Sequence, residues 1–318
     1  MSANSPYDAR LRRIPTREHR AGIAGAETRW WEYGEPDSDT TLVFVHGFRG
    51  DHHGLEPVIA FLPGVRILAP DLPGFGASGA LPVAHDIDGY AGWLDAFIAA
   101  QALPEPPVVL GHSFGSIVVA AAVADGLPAE RVILVNPIGA PALEGPRGVM
   151  TRLAVLYYRV AAALPAKAGF ALLRSRLIVR VMSVTMAKTK DRELLAFIHD
   201  QHDRYFSAFE DRSVVLEAFR ASVSNDVRAS ASKIAQPVLL VAADLDDITP
   251  IEAERRLATM FADARLVEIP GVGHLIHYET PEPAAAAIAA FLGERDGAPG
   301  DAGEADAAAD ASEPGAAR

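Results

Sequence analysis

Residues 107–122 read PVVLGHSFGSIVVAAA, and no other stretch restricts the fold as much. A β-branched apolar run stops at Gly111-His112-Ser113-Phe114-Gly115, and a run of small and apolar residues suited to a packed helix follows. A G-x-S-x-G pentapeptide between a strand and a helix makes a sharp turn that holds its serine in strained backbone geometry. Gly111 and Gly115 leave room where any Cβ would collide. Ser113 then stands above the end of its strand. The Phe114 N–H, at the start of the helix, lies beside it where a negative oxygen would form.

The rest of the chain supplies the sheet this turn needs. Residues 19–25 and 27–33 read as two short strands, and 41–45, 65–69, 131–135, 237–242 and 265–269 as compact apolar ones. Helical patterns fall at 55–62, 87–102, 251–260 and 281–292, with Tyr90, Trp93, Leu94 and Phe97 on one side of the second. Strands apolar throughout and alternating with helices indicate a parallel sheet covered on both faces. From about 138 to 232 the reading is helical with no strand. The predicted organisation is therefore a flexible arm (1–17), an α/β core (18–137 and 233–293), a helical cap inserted at 138–232, and a tail (294–318). The cap leaves one central strand end and returns to the next strand, over the sheet edge where open α/β sheets bind ligands.

Composition narrows the chemistry. The chain has no cysteine, which excludes thiol catalysis, disulfides and Cys-ligated metal centres. A net charge of −12 argues against nucleic-acid binding. The N-terminal residues lack a signal-peptide core, and no apolar run is long enough to span a membrane. The expectation is a soluble cytoplasmic protein. The tail, rich in Ala, Gly and acidic residues, is expected to be disordered.

A serine nucleophile needs a base, and the base needs an orienting acid. The histidines after Ser113 are His199, His202, His274 and His277. His274 lies on a Gly-flanked loop just past the last strand. His199 and His202 lie in a polar helical stretch and read as solvated. Asp244, Asp246 and Asp247 follow the strand at 237–242 and are all candidate acids. The alternative position after the preceding strand holds Asn136, which carries no charge to stabilise an imidazolium. The loop after the strand at 41–45 reads His46-Gly47-Phe48-Arg49, so Phe48 N–H is the candidate second donor to an oxyanion. Gly47 keeps that loop close, and His46 reads as a brace for it.

HGF at 46–48, DLPGFGAS at 71–78, GHSFG at 111–115, DDITP at 246–250 and GVGHLIHYETPE at 271–282 together resemble the α/β-hydrolase superfamily, over about residues 20–293. The resemblance implies the α/β-hydrolase fold: a mostly parallel central sheet, helices on both faces and a helical cap. It also implies Ser113 as nucleophile, His274 as base and Asp246, four residues before Pro250, as its partner. It implies a small-molecule acyl substrate with an apolar part and no metal or organic cofactor. Serine at 113 argues against the haloalkane dehalogenase and epoxide hydrolase branches. The chain also resembles the carbon–carbon hydrolases of ring-fission diketones, many of which carry Trp where Leu275 stands here. A further likeness is to the menaquinone-pathway synthase, a lyase with an anionic substrate. The fold hosts many chemistries, so substrate stays open.

Two rival classes are weaker. His46, Asp51, His52 and His53 invite a metal reading, but the metallo-hydrolase pattern H-x-H-x-D-H needs histidine where Phe48 stands. A non-catalytic binder on the same fold has no need of an intact serine, histidine and aspartate. Arg49, His112 and His277 are candidate substrate contacts. Residues 145–190 contain nine basic side chains and no acidic one. These are expected either to snorkel from amphipathic cap helices or to attract an anionic substrate, and a peripheral membrane contact also fits.

Overall fold

A computed structural model describes residues 5–140, 148–209 and 211–293. The predicted tail and residues 141–147 of the predicted cap lie outside them. Eight strands form one sheet: β1 (Thr16–Ile23), β2 (Ala26–Tyr33), β3 (Thr41–Val45), β4 (Arg66–Pro70), β5 (Val108–His112), β6 (Val132–Val135), β7 (Val238–Ala243) and β8 (Ala264–Ile269). Their order is β1-β2-β4-β3-β5-β6-β7-β8. β1 and β2 pair antiparallel, β2 meets β4 antiparallel, and every other pairing is parallel. β5 and β6 are buried along their whole length, which is why they read as continuous apolar runs rather than alternating ones.

Two short helices, α1 (Asp8–Leu11) and α2 (Glu56–Ile59), precede β1 and β4. α3 (Ile87–Ala100) and α4 (Phe114–Ala124) follow β4 and β5. Asp86 starts α3 by accepting a hydrogen bond from Gly89 N–H at 2.9 Å, a side-chain N-cap. Tyr90, Trp93, Leu94 and Phe97 are its buried side, as the spacing predicts. The cap contains α5 (Gly148–Ala163), α6 (Ala166–Leu173), α7 (Arg176–Met186), α8 (Arg192–Tyr205) and α9 (Arg212–Ser224), with α10 (Arg228–Ala231) leading back to β7. α11 (Ile251–Ala258), α12 (Ile276–Glu279) and α13 (Pro281–Gly293) complete the core. Among the described residues no helix is long and apolar enough to cross a membrane.

The N-terminal segment departs from the expected loose arm. Residues from Tyr7 onward are docked: Tyr7 donates its hydroxyl to the Tyr278 carbonyl at 2.7 Å and packs edge-on against Phe61 and Phe197. β1 also begins at Thr16, inside the segment read as the arm. The reason is tertiary. One aromatic ring in a polar segment leaves no periodicity, yet its partners lie on the core and on the cap.

The cap is tied to the core through the turn after β4. Asp71 organises that turn, accepting from His52 N–H and His52 Nδ1–H on one oxygen and from Ala77 N–H on the other. Gly76, at φ 56°, has no room for a side chain, since a Cβ there would sit 2.1 Å from Asp71 Oδ2. Phe75 then forms a bridge with Phe209 of the cap.

Candidate active site

β5 delivers the chain to Ser113, whose φ of 53° is outside the region a non-glycine residue prefers. The strain is locked in by close packing. A Cβ on Gly111 would lie 2.4 Å from the Gly115 carbonyl oxygen, and one on Gly115 would lie 2.3 Å from the Val45 carbonyl oxygen. Both glycines behave as the pentapeptide predicts. Phe114 is the first residue of α4, so its N–H has no acceptor within the helix. The 46–48 loop presses against this elbow: a Cβ on Gly47 would lie 3.2 Å from Ser113 Cβ.

His46 braces that loop. Its Nδ1–H donates to the Gly47 carbonyl at 2.9 Å, and its Nε2 accepts from Leu72 N–H at 2.8 Å. These bonds require the neutral ring, and burial lowers its pKa accordingly. Phe48 packs its ring against Phe75, Phe114, Tyr158 and Phe219. It joins the 46–48 loop to the cap.

Ser113, His274 and Asp246 come together although 161 and 28 residues separate the successive pairs. Ser113 Oγ–H donates to His274 Nε2 at 2.7 Å, and His274 Nδ1–H donates to Asp246 Oδ2 at 2.7 Å. Asp246 and His274 are buried. The other carboxylate oxygen of Asp246 accepts from Ile248 N–H at 2.7 Å and Thr249 N–H at 3.3 Å, which fixes its plane. The neighbouring aspartates are engaged elsewhere. Asp244 accepts from Gly271 N–H at 2.8 Å, and Asp247 pairs with Lys188. Asn136, discounted as an acid, instead braces the histidine loop. Its Nδ2–H donates to the His274 carbonyl at 2.8 Å, while its Oδ1 accepts from Ala243 N–H at 3.0 Å.

The cavity above Ser113 is lined by core and cap together. Met182, Met186 and Phe206 come from the cap, Ile138, Ile248 and Leu275 from the loops. None of the described residues lining it is Arg or Lys. His112, His202 and His277 supply polar atoms instead. Burial pushes His112 and His202 down to about 3, and lowers His277 well below its ordinary value. All three are neutral near pH 7 for that reason. His112 Nε2 and His277 Nδ1 are buried without a hydrogen-bond partner.

Three expectations need correction. Arg49 is no substrate contact. It is fully buried, and its guanidinium donates to the Phe206 carbonyl at 2.9 Å and the Leu173 carbonyl at 2.8 Å, with Phe206 and Phe209 rings about it. A guanidinium that far from water needs such a shell of acceptors and π-faces, so it clamps the cap to the loop after β3. His202 is not solvated: it is buried in the cavity wall, with Nδ1 2.7 Å from Ser183 Oγ. His199 is half-buried on the same serine, 2.6 Å away.

Of the residues weighed as metal ligands, His46, Asp51 and His52 are engaged by protein groups, while His53 Nδ1 is buried without a regular hydrogen bond, 3.2 Å from Asp51 Oδ1. Asp51, His52 and His53 bring ligand atoms within 4.8 Å of one another. His52 Nδ1, however, serves Asp71, and Asp51 accepts from His53 N–H at 3.0 Å.

One residue near the relay had no sequence signature. Glu254, on α11, is buried, and neither carboxyl oxygen makes a regular hydrogen bond. Burial first, and the nearby Asp246 charge second, raise its pKa well above the ordinary range. The folded protein thus holds a proton there that the unfolded chain releases above the ordinary glutamate pKa. Its contribution to stability is full below that value and is lost as pH rises toward the folded pKa. Buried, neutral His46, His112, His202 and His277 make stability rise with pH toward the ordinary histidine value, and Glu254 opposes that rise. Urea titrations from pH 5 to 8 should therefore show a steeper rise, or a shallower fall, in Glu254→Gln than in wild type. An unchanged slope in the variant would refute a protonated Glu254.

A parallel sheet whose carboxyl edge presents a serine on a strained strand–helix turn, beneath an inserted helical cap, defines the hydrolase class of α/β proteins. The chain belongs to the alpha/beta hydrolase family, whose model matches residues 42–287. Protein ABHD8 of Mus musculus is 27% identical over 292 residues, 88% of this chain and 61% of ABHD8. The chain therefore spans less than two thirds of the length of the ABHD8 protein it matches. The 2-succinyl-6-hydroxy-2,4-cyclohexadiene-1-carboxylate synthase of Escherichia coli O7:K1 is 26% identical over 257 residues, 79% of this chain and 93% of the synthase. Among solved structures, the esterase EaEST from Exiguobacterium antarcticum superposes with a TM-score of 0.70 at 16% identity, covering 87% of this chain and 99% of its own. That likeness speaks to the fold.

Proposed function

We propose that this chain is a serine hydrolase that cleaves a carboxylic ester, or a related acyl compound, with an apolar acyl part. One observation carries the reading: Ser113, His274 and Asp246 form a continuous relay with both hydrogen bonds at 2.7 Å. His274 is held with its proton on Nδ1, which leaves Nε2 free to take the serine proton. Ser113 Oγ then attacks the substrate carbonyl. The negative oxygen that forms is met by the N–H groups of Phe114 and Phe48. His274 returns the proton to the leaving alcohol, and an acyl-enzyme remains. Water, deprotonated by His274, releases the acid by the same steps in reverse. The scheme asks for no metal or organic cofactor.

The cavity composition supports an apolar, uncharged acyl group. Met182, Met186, Ile138 and Leu275 offer dispersion contacts, and no fixed cation stands among the described lining residues to hold a carboxylate. This weighs against the anionic substrate of the synthase reading. A panel of p-nitrophenyl esters of graded chain length, with one ring-fission diketone, tests the proposal. Ester turnover together with labelling of Ser113 by a fluorophosphonate is expected. Turnover of the diketone with inert esters would replace ester hydrolysis by carbon–carbon cleavage. Neither turnover nor labelling would leave a binder.

A further inference from the structure

α7 is a wall with two apolar sides. Its inner side carries Met182 and Met186, which line the cavity, with Val179 and Ser183 buried beside them. Its outer side carries Leu177, Val181 and Val184, spaced i, i+4 and i+7, and these are 73%, 56% and 59% exposed. α5 repeats the pattern. Tyr158 and Ala161 face inward, while Leu153, Leu156 and Val160 are largely exposed on the opposite side. Single aliphatic side chains at a surface are ordinary, but three along one face of each of two cap helices mark an interaction surface.

Charge indicates what it meets. Residues 145–190 carry nine basic side chains and no acidic one, in a chain of net charge −12. Arg180 and Lys188 are paired with Asp203 and Asp247. Arg152, Arg159, Lys167 and Arg176 are exposed with no ion-pair partner among the described residues. At 100° per residue, Arg152 and Arg159 fall beside Leu156 on α5, and Arg176 falls beside Val184 and Leu177 on α7.

We propose that the outer faces of α5 and α7 dock on an anionic phospholipid bilayer. Helices with a protruding aliphatic face and a basic flank lie in the membrane interface, aliphatic residues among the acyl chains and Arg among the headgroups. Each of the six aliphatic side chains is at least 43% exposed, which suits immersion in a fluid surface. A second copy would bring the same basic flank and be repelled. Docking sets the lipid on one side of α7 and the cavity on the other, about one helix diameter, 10 Å, apart. The inference rests on the cap surface alone and not on the reaction at Ser113.

Co-sedimentation of the full chain with phosphatidylcholine vesicles, with or without phosphatidylglycerol, tests this. Binding is expected only with phosphatidylglycerol, and it should weaken as salt shortens the screening length. The triple variant Leu177→Ser, Val181→Ser, Val184→Ser should lose at least about tenfold in partitioning. The triple variant Arg152→Glu, Arg159→Glu, Arg176→Glu should lose about a hundredfold or more. Circular dichroism and the thermal midpoint should match wild type in both. Absent binding to anionic vesicles, or binding that both folded variants retain, overturns the proposal. A wild-type dimer in ultracentrifugation that the serine variant disperses also overturns it, because the face would then belong to a second copy.

Discussion

Ser113→Ala should lose at least about 10³-fold in kcat on any ester the wild type turns over. It should also lose all fluorophosphonate labelling, with its unfolding midpoint unchanged. The structural grounds are that, among the described residues, the Ser113 side chain bonds to His274 alone, while the turn is held by backbone. Ser113 N–H donates to the Val135 carbonyl, and the Ser113 carbonyl accepts from Ser116 N–H. Alanine keeps the Cβ that already tolerates a φ of 53°, so the elbow carries the same strain before and after. A residual rate would come from the Phe48 and Phe114 N–H groups and from substrate positioning. Turnover within tenfold of wild type would refute a covalent mechanism at Ser113.

Asp246→Asn should cost about 10³- to 10⁴-fold in kcat, as removal of the orienting charge does in serine relays generally. The carboxylate accepts the Nδ1 proton of His274 at 2.7 Å. An amide NH₂ at that place donates instead, so the imidazole is driven to carry its proton on Nε2. It then cannot accept from Ser113, and no negative charge stabilises the imidazolium that forms on attack. Asp244→Asn and Asp247→Asn are the internal controls. Their partners are the Gly271 N–H and Lys188, so each should keep kcat within a few fold. A crippled Asp247→Asn beside an active Asp246→Asn would reassign the acid.

The two experiments fail differently. Loss of activity in Ser113→Ala with retained activity in Asp246→Asn would keep the nucleophile and discard the relay. The unfolding midpoint separates either result from misfolding, since Asp246 also accepts two backbone N–H groups and its amide replacement keeps one acceptor oxygen.

Much of this molecule was legible from local pattern. The pentapeptide, the apolar strand runs and the glycine-flanked His274 are signals within a few residues, because steric exclusion at a tight turn and burial of a strand on both faces act on adjacent side chains. Boundaries moved by only a residue or a few: the helix expected at 55–62 is α2 at Glu56–Ile59, preceded by the 3₁₀ turn His52–Gly54. The choice among Asp244, Asp246 and Asp247 rested on the spacing to Pro250, and the geometry places Asp246 against His274.

Other features depended on contacts between residues far apart in the chain. Arg49 sits beside the oxyanion loop in sequence and reads as a substrate contact, yet its acceptors are carbonyls 124 and 157 residues away. His202 lies in a polar helix and reads as solvated, yet its side of that helix closes the cavity. Glu254 carries no local signature, yet it is buried near Asp246. Tyr7 reads as part of a loose arm until Phe61 and Phe197 are placed around it. By itself, the sequence determined the class of fold and the elbow, because both are written in short-range sterics and hydrophobic period, whereas the candidate relay residues came from the resemblance of its motifs to the α/β-hydrolases. Only the tertiary structure decided which polar groups are taken out of water. Desolvation depends on everything packed around a side chain, and those neighbours come from segments that no local pattern connects.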